Sequence, residues 1–553
     1  MIKPVTVQAL VWGLLSLCLA ACEGRVTALT VHKPVPADAG PADAHPPADT
    51  YLGKTDVEPA VVYVATYQVE LTPSRLLDLV FMIDNSASMA PKQQKLRDNF
   101  PRLINALKNP IDGTLPDLRI AMIDSDLGSG GEYSYAGCGT RTLADGTVSL
   151  YGDMGRFQMI GAQGCGVTST KALWLEYAHD KPVNFTGDIS TVFACLAGNL
   201  GTNGCGSEQQ LEAFQFALAA KGIGNDNQQA MLRAKAKLGL VFLSDEDDCS
   251  TGKNDGINEI LSGMSGESSS LRCATRAHAC AGVNLSQSPP GYPTTASFEA
   301  PLSTCVARED ACPNLLDDGQ ATDTSKATEC SPVRNVKRIA DAMKGLKEKP
   351  DQELFVVGIF GWPSSDADMA TTSYKIAPIP NKESPTSGTP TIYASWPVCY
   401  DADHQPSSLD PTTGFDSTAA GWGAIAGLRL SSFVDKFAGN GLKFSICQRD
   451  FSDSMQLIGG NLVRKMQNLC LPAVFAQYGS CTVNYLTTDT NGNDVRDANA
   501  IPLCGAQPDS YPCYAVTTNA TLCPGDDYYV ELDRGSSASV PLPPGTKLEF
   551  RCR

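Results

Sequence analysis

The 553-residue chain carries 43 Lys and Arg against 60 Asp and Glu, a formal charge of −17, with 42% hydrophobic and 19% charged residues. That balance argues against nucleic acid as a partner, since phosphate binding needs a basic face, and leaves divalent cations and basic protein surfaces open. The length allows two to four domains and the apolar content supports packed cores.

Residues 1–22 read as an export signal. Lys3 is the only charge before an apolar run from Ala9 to Ala21, which is too short to span a bilayer. The run ends in Leu19-Ala20-Ala21-Cys22, which resembles a bacterial lipobox. The resemblance implies cleavage before Cys22 and lipid on that cysteine; Glu23 after it points to the outer membrane or cell surface. An ordinary signal ending near Ala21 is the alternative. No later stretch holds 18 apolar residues, so lipid is the expected sole anchor. Residues 23–60 are a Pro-, Ala- and Asp-rich tether that cannot bury a core. Within it, Gly53-Lys54-Thr55 is not a phosphate loop, because Ala48 stands where the motif needs glycine.

A domain is expected over 61–469. Val61 to Val69 reads as a strand leading into it. Leu79 to Ile83 is a continuous apolar run, as in a strand buried on both faces, and it stops at Asp84. Met89 to Leu107 has helical spacing, with Pro101 predicting a kink or two short helices. Leu118 to Ile123 is a second strand ending in Asp124-Ser125-Asp126, read as a solvated loop in preference to an acidic strand end that approaches a bound cation. Gly201-Thr202-Asn203-Gly204-Cys205-Gly206 precedes a helix, with Ser207 and Gln210 as a capping box. A Cys195–Cys205 bridge could also pin that loop. Leu238 to Leu243 is another buried strand, running into Ser244-Asp245-Glu246.

Residues 249–330 and 361–417 read as insertions, the first loop-like and stapled by cysteines. Between them, Ser331-Pro332 is a helix start, Val336, Ile339, Ala340, Met343 and Leu346 form its buried face, and Leu354 to Phe360 is a strand. Leu442 to Ile446 is the expected final strand, followed by a helix from Ser452. Residues 470–553 read as a small cysteine-rich β domain. Its Asp489–Asp497 stretch reads as a polar hairpin turn in preference to a calcium loop, because the glycine is misplaced.

The 20 cysteines, less Cys18 in the signal and Cys22 at the lipobox, leave 18 disulfide candidates in an exported chain. They are Cys138, Cys165, Cys195, Cys205, Cys249, Cys273, Cys280, Cys305, Cys312, Cys330, Cys399, Cys447, Cys470, Cys481, Cys504, Cys513, Cys523 and Cys552. A cysteine zinc site is disfavoured, because no C-x-x-C occurs.

Asp84, Ser86 and Ser88 form D-x-S-x-S at a strand's carboxyl end, where open α/β sheets bind ligands. Oxygen side chains suit a hard cation such as Mg²⁺ or Ca²⁺. With Thr202 and Asp245 the pattern resembles the von Willebrand factor type A domain and its metal-ion-dependent adhesion site. The family's usual Asp-Gly is Asp245-Glu246 here. The resemblance implies an α/β, doubly wound, mostly parallel sheet, interrupted here by the two insertions. It also implies a cation (Mg, or else Mn or Ca) held by Asp84, Ser86, Ser88, Thr202 and Asp245. Asp84 would act through water, with one position open to a partner protein's carboxylate.

No H-E-x-x-H or G-x-S-x-G occurs, and His179, His278 and His404 are the only histidines beyond the tether. The sequence therefore reads as a binding protein of the cell envelope with no catalytic residues. An enzyme of another type housed in the insertions, or a structural component with a vestigial site, are the alternatives.

Overall fold

The computed structural model describes residues 65–553, apart from 72–74, 110–112, 129–137, 143–147, 151, 219–227, 252–265, 284–299, 308–332, 364–371, 381–390, 406–420, 468–469, 479, 490–492, 507–510, 519–527, 536–541 and 544–545. The signal, the lipobox and the tether lie outside them.

Strand β1 (Ala65–Glu70) precedes the first long apolar run, β2 (Leu76–Ile83). With β3 (Asp117–Ile123), β4 (Leu175–Ala178), β5 (Lys181–Pro182), β6 (Lys237–Ser244), β7 (Leu354–Phe360) and β8 (Gly441–Ser445), β2 forms a seven-stranded sheet. Its order is β8-β7-β6-β2-β3-β4-β5. The first five are parallel and the last two antiparallel.

Side chains on β2 alternate between two cores, as a period of two requires. Leu77, Leu79, Phe81 and Ile83 face one, with helices α1 (Ala90–Ala106) and α2 (Ile189–Asn199). Val80 and Met82 face the other, with α3 (Gln210–Leu218), which buries Leu211 and Phe214. Phe81, Phe100 and Phe193 pack together, the last two stacked with ring centroids 3.6 Å apart. Burying a side chain of this kind stabilises by roughly 1.5–3 kcal/mol.

Further helices are α4 (Ser269–Ala277), α5 (Val336–Lys344), α6 (Leu428–Asp435) and α7 (Ser452–Gln467). On α7, Met455, Ile458, Leu462 and Met466 enter the first core, as helical spacing predicts.

The expected doubly wound, mostly parallel α/β fold beside one small β domain is not what the chain builds. The described strands form seven sheets, and only one is a large mixed sheet. The other six have two to four strands each and pair antiparallel throughout. Three of them lie wholly or partly in the two stretches read as insertions, and a fourth lies between β3 and β4. His278–Ala281 pairs with Ser303–Ala307, and Cys399–Tyr400 with Gly423–Ala424. Lys375–Pro380 lies between Ala300–Pro301 and Thr391–Trp396, and Arg141–Thr142 pairs with Val148–Ser149. Strands this short and part-exposed leave no long apolar run, so the pattern that reveals buried parallel strands misses them.

Local corrections have local causes. Pro101 does not divide α1, because Leu96, Phe100, Leu103 and Ile104 are all buried along its length. Helix α3 begins at Gln210 and is not capped by Ser207. Its Leu211 and Glu212 amides instead donate to Asp248 and Ser250, both at 2.9 Å. Helix α5 starts at Val336, with Asn335 as its cap; Ser331-Pro332 lie outside the described residues.

In the C-terminal region, β9 (Cys470–Leu471), β10 (Cys481–Thr488), β11 (Asp494–Ala500), β12 (Cys513–Thr518), β13 (Tyr528–Asp533) and β14 (Lys547–Cys552) form two antiparallel sheets, β1-β14-β10-β11 and β9-β13-β12. The strand before the central sheet thus pairs with the last strand of the chain, Ala65 lying opposite Cys552. Strands β10 and β11 make the hairpin expected around Asp489, whose amide donates to the Asn493 carbonyl at 2.8 Å.

Seven disulfides join described residues: Cys138–Cys205, Cys165–Cys195, Cys249–Cys273, Cys280–Cys305, Cys399–Cys447, Cys481–Cys552 and Cys504–Cys513. Cys470 is disulfide-bonded too. Cys205 therefore pairs with Cys138, and Cys195 with Cys165, which replaces the Cys195–Cys205 bridge. Cys312, Cys330 and Cys523 lie outside the described residues. A chain this rich in disulfides belongs in an oxidising compartment outside the cytosol.

Candidate functional site

Strands β2 and β6 are parallel neighbours, so their carboxyl ends bring Asp84 and Asp245 to one edge of the sheet. The Asp84 amide donates to the Leu243 carbonyl at 3.0 Å, which fixes the turn-off from the strand. Its buried carboxylate accepts from the Ser86 amide at 2.8 Å, the Ser244 hydroxyl at 2.6 Å and the Ser125 hydroxyl at 3.3 Å. Ser86 and Ser88 follow in the same turn, their hydroxyl oxygens 3.4 Å apart. Two oxygens held by one cation at about 2.1–2.5 Å can lie about that far apart.

The Thr202 loop is held against this turn from both ends. Gln93, on α1, donates to the Asp84 carbonyl at 2.8 Å and to the Gly201 carbonyl at 3.0 Å. The Gly204 amide donates to the Asn85 carbonyl at 2.8 Å. A Cβ on Gly204 would lie 2.0 Å from Asn85 Oδ1, so only glycine allows this approach. Cys205, next in the loop, is bonded to Cys138. Asp84, Ser86, Ser88 and Asp245 thus lie at one edge of the sheet, and the backbone on both sides of Thr202 is held to the Asp84 turn; Asp84, Ser86 and Asp245 are buried, Ser88 and Thr202 part-buried.

Asp245 forms a buried ion pair with Lys92 through Oδ2, while its Oδ1 is buried without a hydrogen-bond partner. Glu208 Oε1 is buried and unpartnered as well. Burial, then the charge of Asp245, pushes the Asp84 carboxyl up to about 6. Burial first and Asp245 second push Glu246 to about 8. Glu208 is raised well above the carboxylate range by burial and by Glu246. Four acids therefore crowd one buried region, and among the described residues the only basic side chain bonded to any of them is Lys92. Such a region favours either protons or a cation.

Sequence reasoning missed several groups. Asp124, Ser125 and Asp126 are buried, not solvated. Asp126 pairs with Arg141, on a short strand between β3 and β4, and burial still lifts its carboxyl to about 6. Lys92 lies four residues after Ser88, one helical turn on, and that spacing was the available signal. Nothing in the sequence marked Ser244 or Glu208.

The donors fit a hard cation, since every candidate ligand is a carboxylate or hydroxyl oxygen and two carboxylate oxygens in the region lack partners. Among the described residues, no group of three or more His, Cys, Asp or Glu side chains is arranged to hold a metal ion. Any cation here would therefore depend on the serine and threonine hydroxyls.

No protein-family model matches the chain, and no curated protein sequence matches it. Among solved structures it is similar to the pilus adhesin SpaC from Lactobacillus rhamnosus GG in its open conformation. That likeness has 9% identity and a TM-score of 0.27, over 88% of this chain and 42% of the adhesin. The chain spans well under half of that adhesin's length.

Among the described residues no helix is long and apolar enough to cross a membrane.

Proposed function

We propose that this protein binds a protein ligand through a divalent cation, Mg²⁺ or else Mn²⁺ or Ca²⁺, held by Asp84, Ser86, Ser88, Thr202 and Asp245. The observation that carries the reading is the buried, partnerless Asp245 Oδ1 facing a region where Asp84 is already oriented by three donors. The resemblance of the D-x-S-x-S turn, the loop threonine and the strand-end aspartate to a metal-ion-dependent adhesion site supports it. Bound there, the cation would supply a Lewis-acidic position for a carboxylate of the ligand. Asp84 holds the turn closed, Gln93 and Gly204 hold the Thr202 loop to it, and Ser244 fixes the Asp84 carboxylate. The reading is a binding protein, whose ligand would complete the cation's coordination.

The protein is further proposed to be a cell-envelope lipoprotein, displayed on the 23–60 tether from lipid on Cys22. The lipobox and the disulfides support this. A pull-down from envelope and extracellular proteins tests the binding claim. Capture in Mg²⁺ that is lost in EDTA and in Asp84→Ala is expected; capture equal in all three would remove the cation from the mechanism.

A further inference from the structure

The Lys92 ammonium contacts the Asp245 carboxylate, the Gly423 carbonyl at 2.7 Å and the Ser88 carbonyl at 3.5 Å. Two of these three residues are proposed cation ligands. The third lies on the segment that returns from the second insertion and is fastened to the site, since the Ile425 amide donates to the Asp245 carbonyl at 2.9 Å. Lys92 is 1% exposed, so its charge cannot be hydrated where it stands.

Resting on the reading above, we propose that Lys92 is a resident counter-ion of Asp245 that a divalent cation must displace, and that it sets how tightly the site holds the cation. An ammonium and a divalent ion cannot share Asp245 cheaply, because like charges a few ångströms apart in a buried region repel strongly. Only one Asp245 oxygen is engaged by the lysine, so the other is available while the exchange proceeds. When the ammonium leaves Asp245, the carbonyls of Ser88 and Gly423 remain acceptors for it. The exchange also confers selectivity. A monovalent ion would replace one positive charge by another and gain nothing, whereas a divalent ion brings a second positive charge beside Asp84 and Asp245. The lysine therefore lowers affinity for all cations while excluding Na⁺ and K⁺, and it keeps Asp245 paired in the metal-free protein.

The test is calorimetric titration of Mn²⁺ and Mg²⁺ into the full mature chain, as wild type, Lys92→Met and Lys92→Gln, the last keeping an amide donor for Gly423 if methionine is not tolerated. The expected result is affinity higher by about tenfold or more in the neutral variants. Their melting temperatures should be lower in EDTA and recover on adding Mn²⁺, because Asp245 is left buried without a counter-ion until metal arrives. Wild-type binding with equal or weaker affinity in both variants overturns the role of Lys92 while leaving the cation site intact. Absence of binding in all three proteins overturns both.

Discussion

Ser244, the last residue of β6, donates its hydroxyl to the Asp84 carboxylate at 2.6 Å, from one parallel strand to the end of its neighbour. The same oxygen accepts from Gln210 at 2.8 Å and from the Glu246 amide at 3.2 Å. One hydroxyl thus ties β2, β6 and the start of α3 together beneath the candidate site. Ser244→Ala removes a hydrogen bond from the buried Asp84 carboxylate and leaves Gln210 only its longer bond to the Glu246 carbonyl, which costs about 1–3 kcal/mol. Urea unfolding in EDTA should show that loss. The added stabilisation by Mg²⁺ should shrink without vanishing, since Ser244 orients Asp84 but is not a proposed ligand.

Gly204→Ala tests the seating of the Thr202 loop. The new Cβ would meet the buried Asn85 side chain, and overpacking of this kind costs about 1–3 kcal/mol. Cation affinity should fall together with stability. A variant that loses stability yet keeps wild-type cation affinity would detach Thr202 from the site.

Much of the central sheet was legible because β2, β6 and β7 are apolar on both faces and so appear as unbroken runs. Asp84 and Asp245 were legible for the same reason, as the first carboxylates after those runs. What escaped depends on contacts distant in sequence. Asp248 and Ser250 cap α3 from the far side of β6, 37 and 38 residues on, and no local rule places them there. The Asp124-Ser125-Asp126 turn is polar enough to read as solvated, yet the Arg141 segment covers it. Lys92 was visible as a residue, but its partner Asp245 lies 153 residues away. The fold class failed because two- to six-residue strands such as Cys399–Tyr400 and Thr391–Trp396 carry no periodicity long enough to count.

A pH response comes from His278, which joins the first insertion to the second. Tyr374 donates to Asp247 at 2.5 Å, and His278 Nδ1 lies 3.1 Å from the same hydroxyl. Burial, then the Arg429 charge, lowers the His278 pKa to about 3. The unfolded imidazole takes its proton near 6.5 and the folded one does not. Stability from this group is therefore complete above about 6.5 and lost as pH falls toward 3, at up to about 1.4 kcal/mol per pH unit. Burial holds Asp247 near 6, which acts in the opposite direction over part of that range, so the difference between proteins is the informative quantity. Chemical unfolding from pH 7 to pH 4 should show a smaller acid-induced loss in His278→Gln than in wild type. Parallel curves would contradict the assignment.

Cys22→Ser tests the anchor. Without lipid the protein should leave the membrane fraction on cell fractionation, because among the described residues no helix can span a bilayer. Retention of the variant in the membrane would contradict the lipoprotein proposal.

The most direct test of the cation site is thermal unfolding of wild type and Asp84→Ala in EDTA and in millimolar Mg²⁺, Mn²⁺ and Ca²⁺. A cation bound only by the folded state adds about 2.7 kcal/mol at ~100 times its dissociation constant. That should raise the wild-type melting temperature by roughly 2–4 °C. Asp84→Ala should remain folded and lose the metal-dependent rise. A wild-type curve indifferent to all three metals, or an Asp84→Ala protein that keeps the full response, would contradict the account.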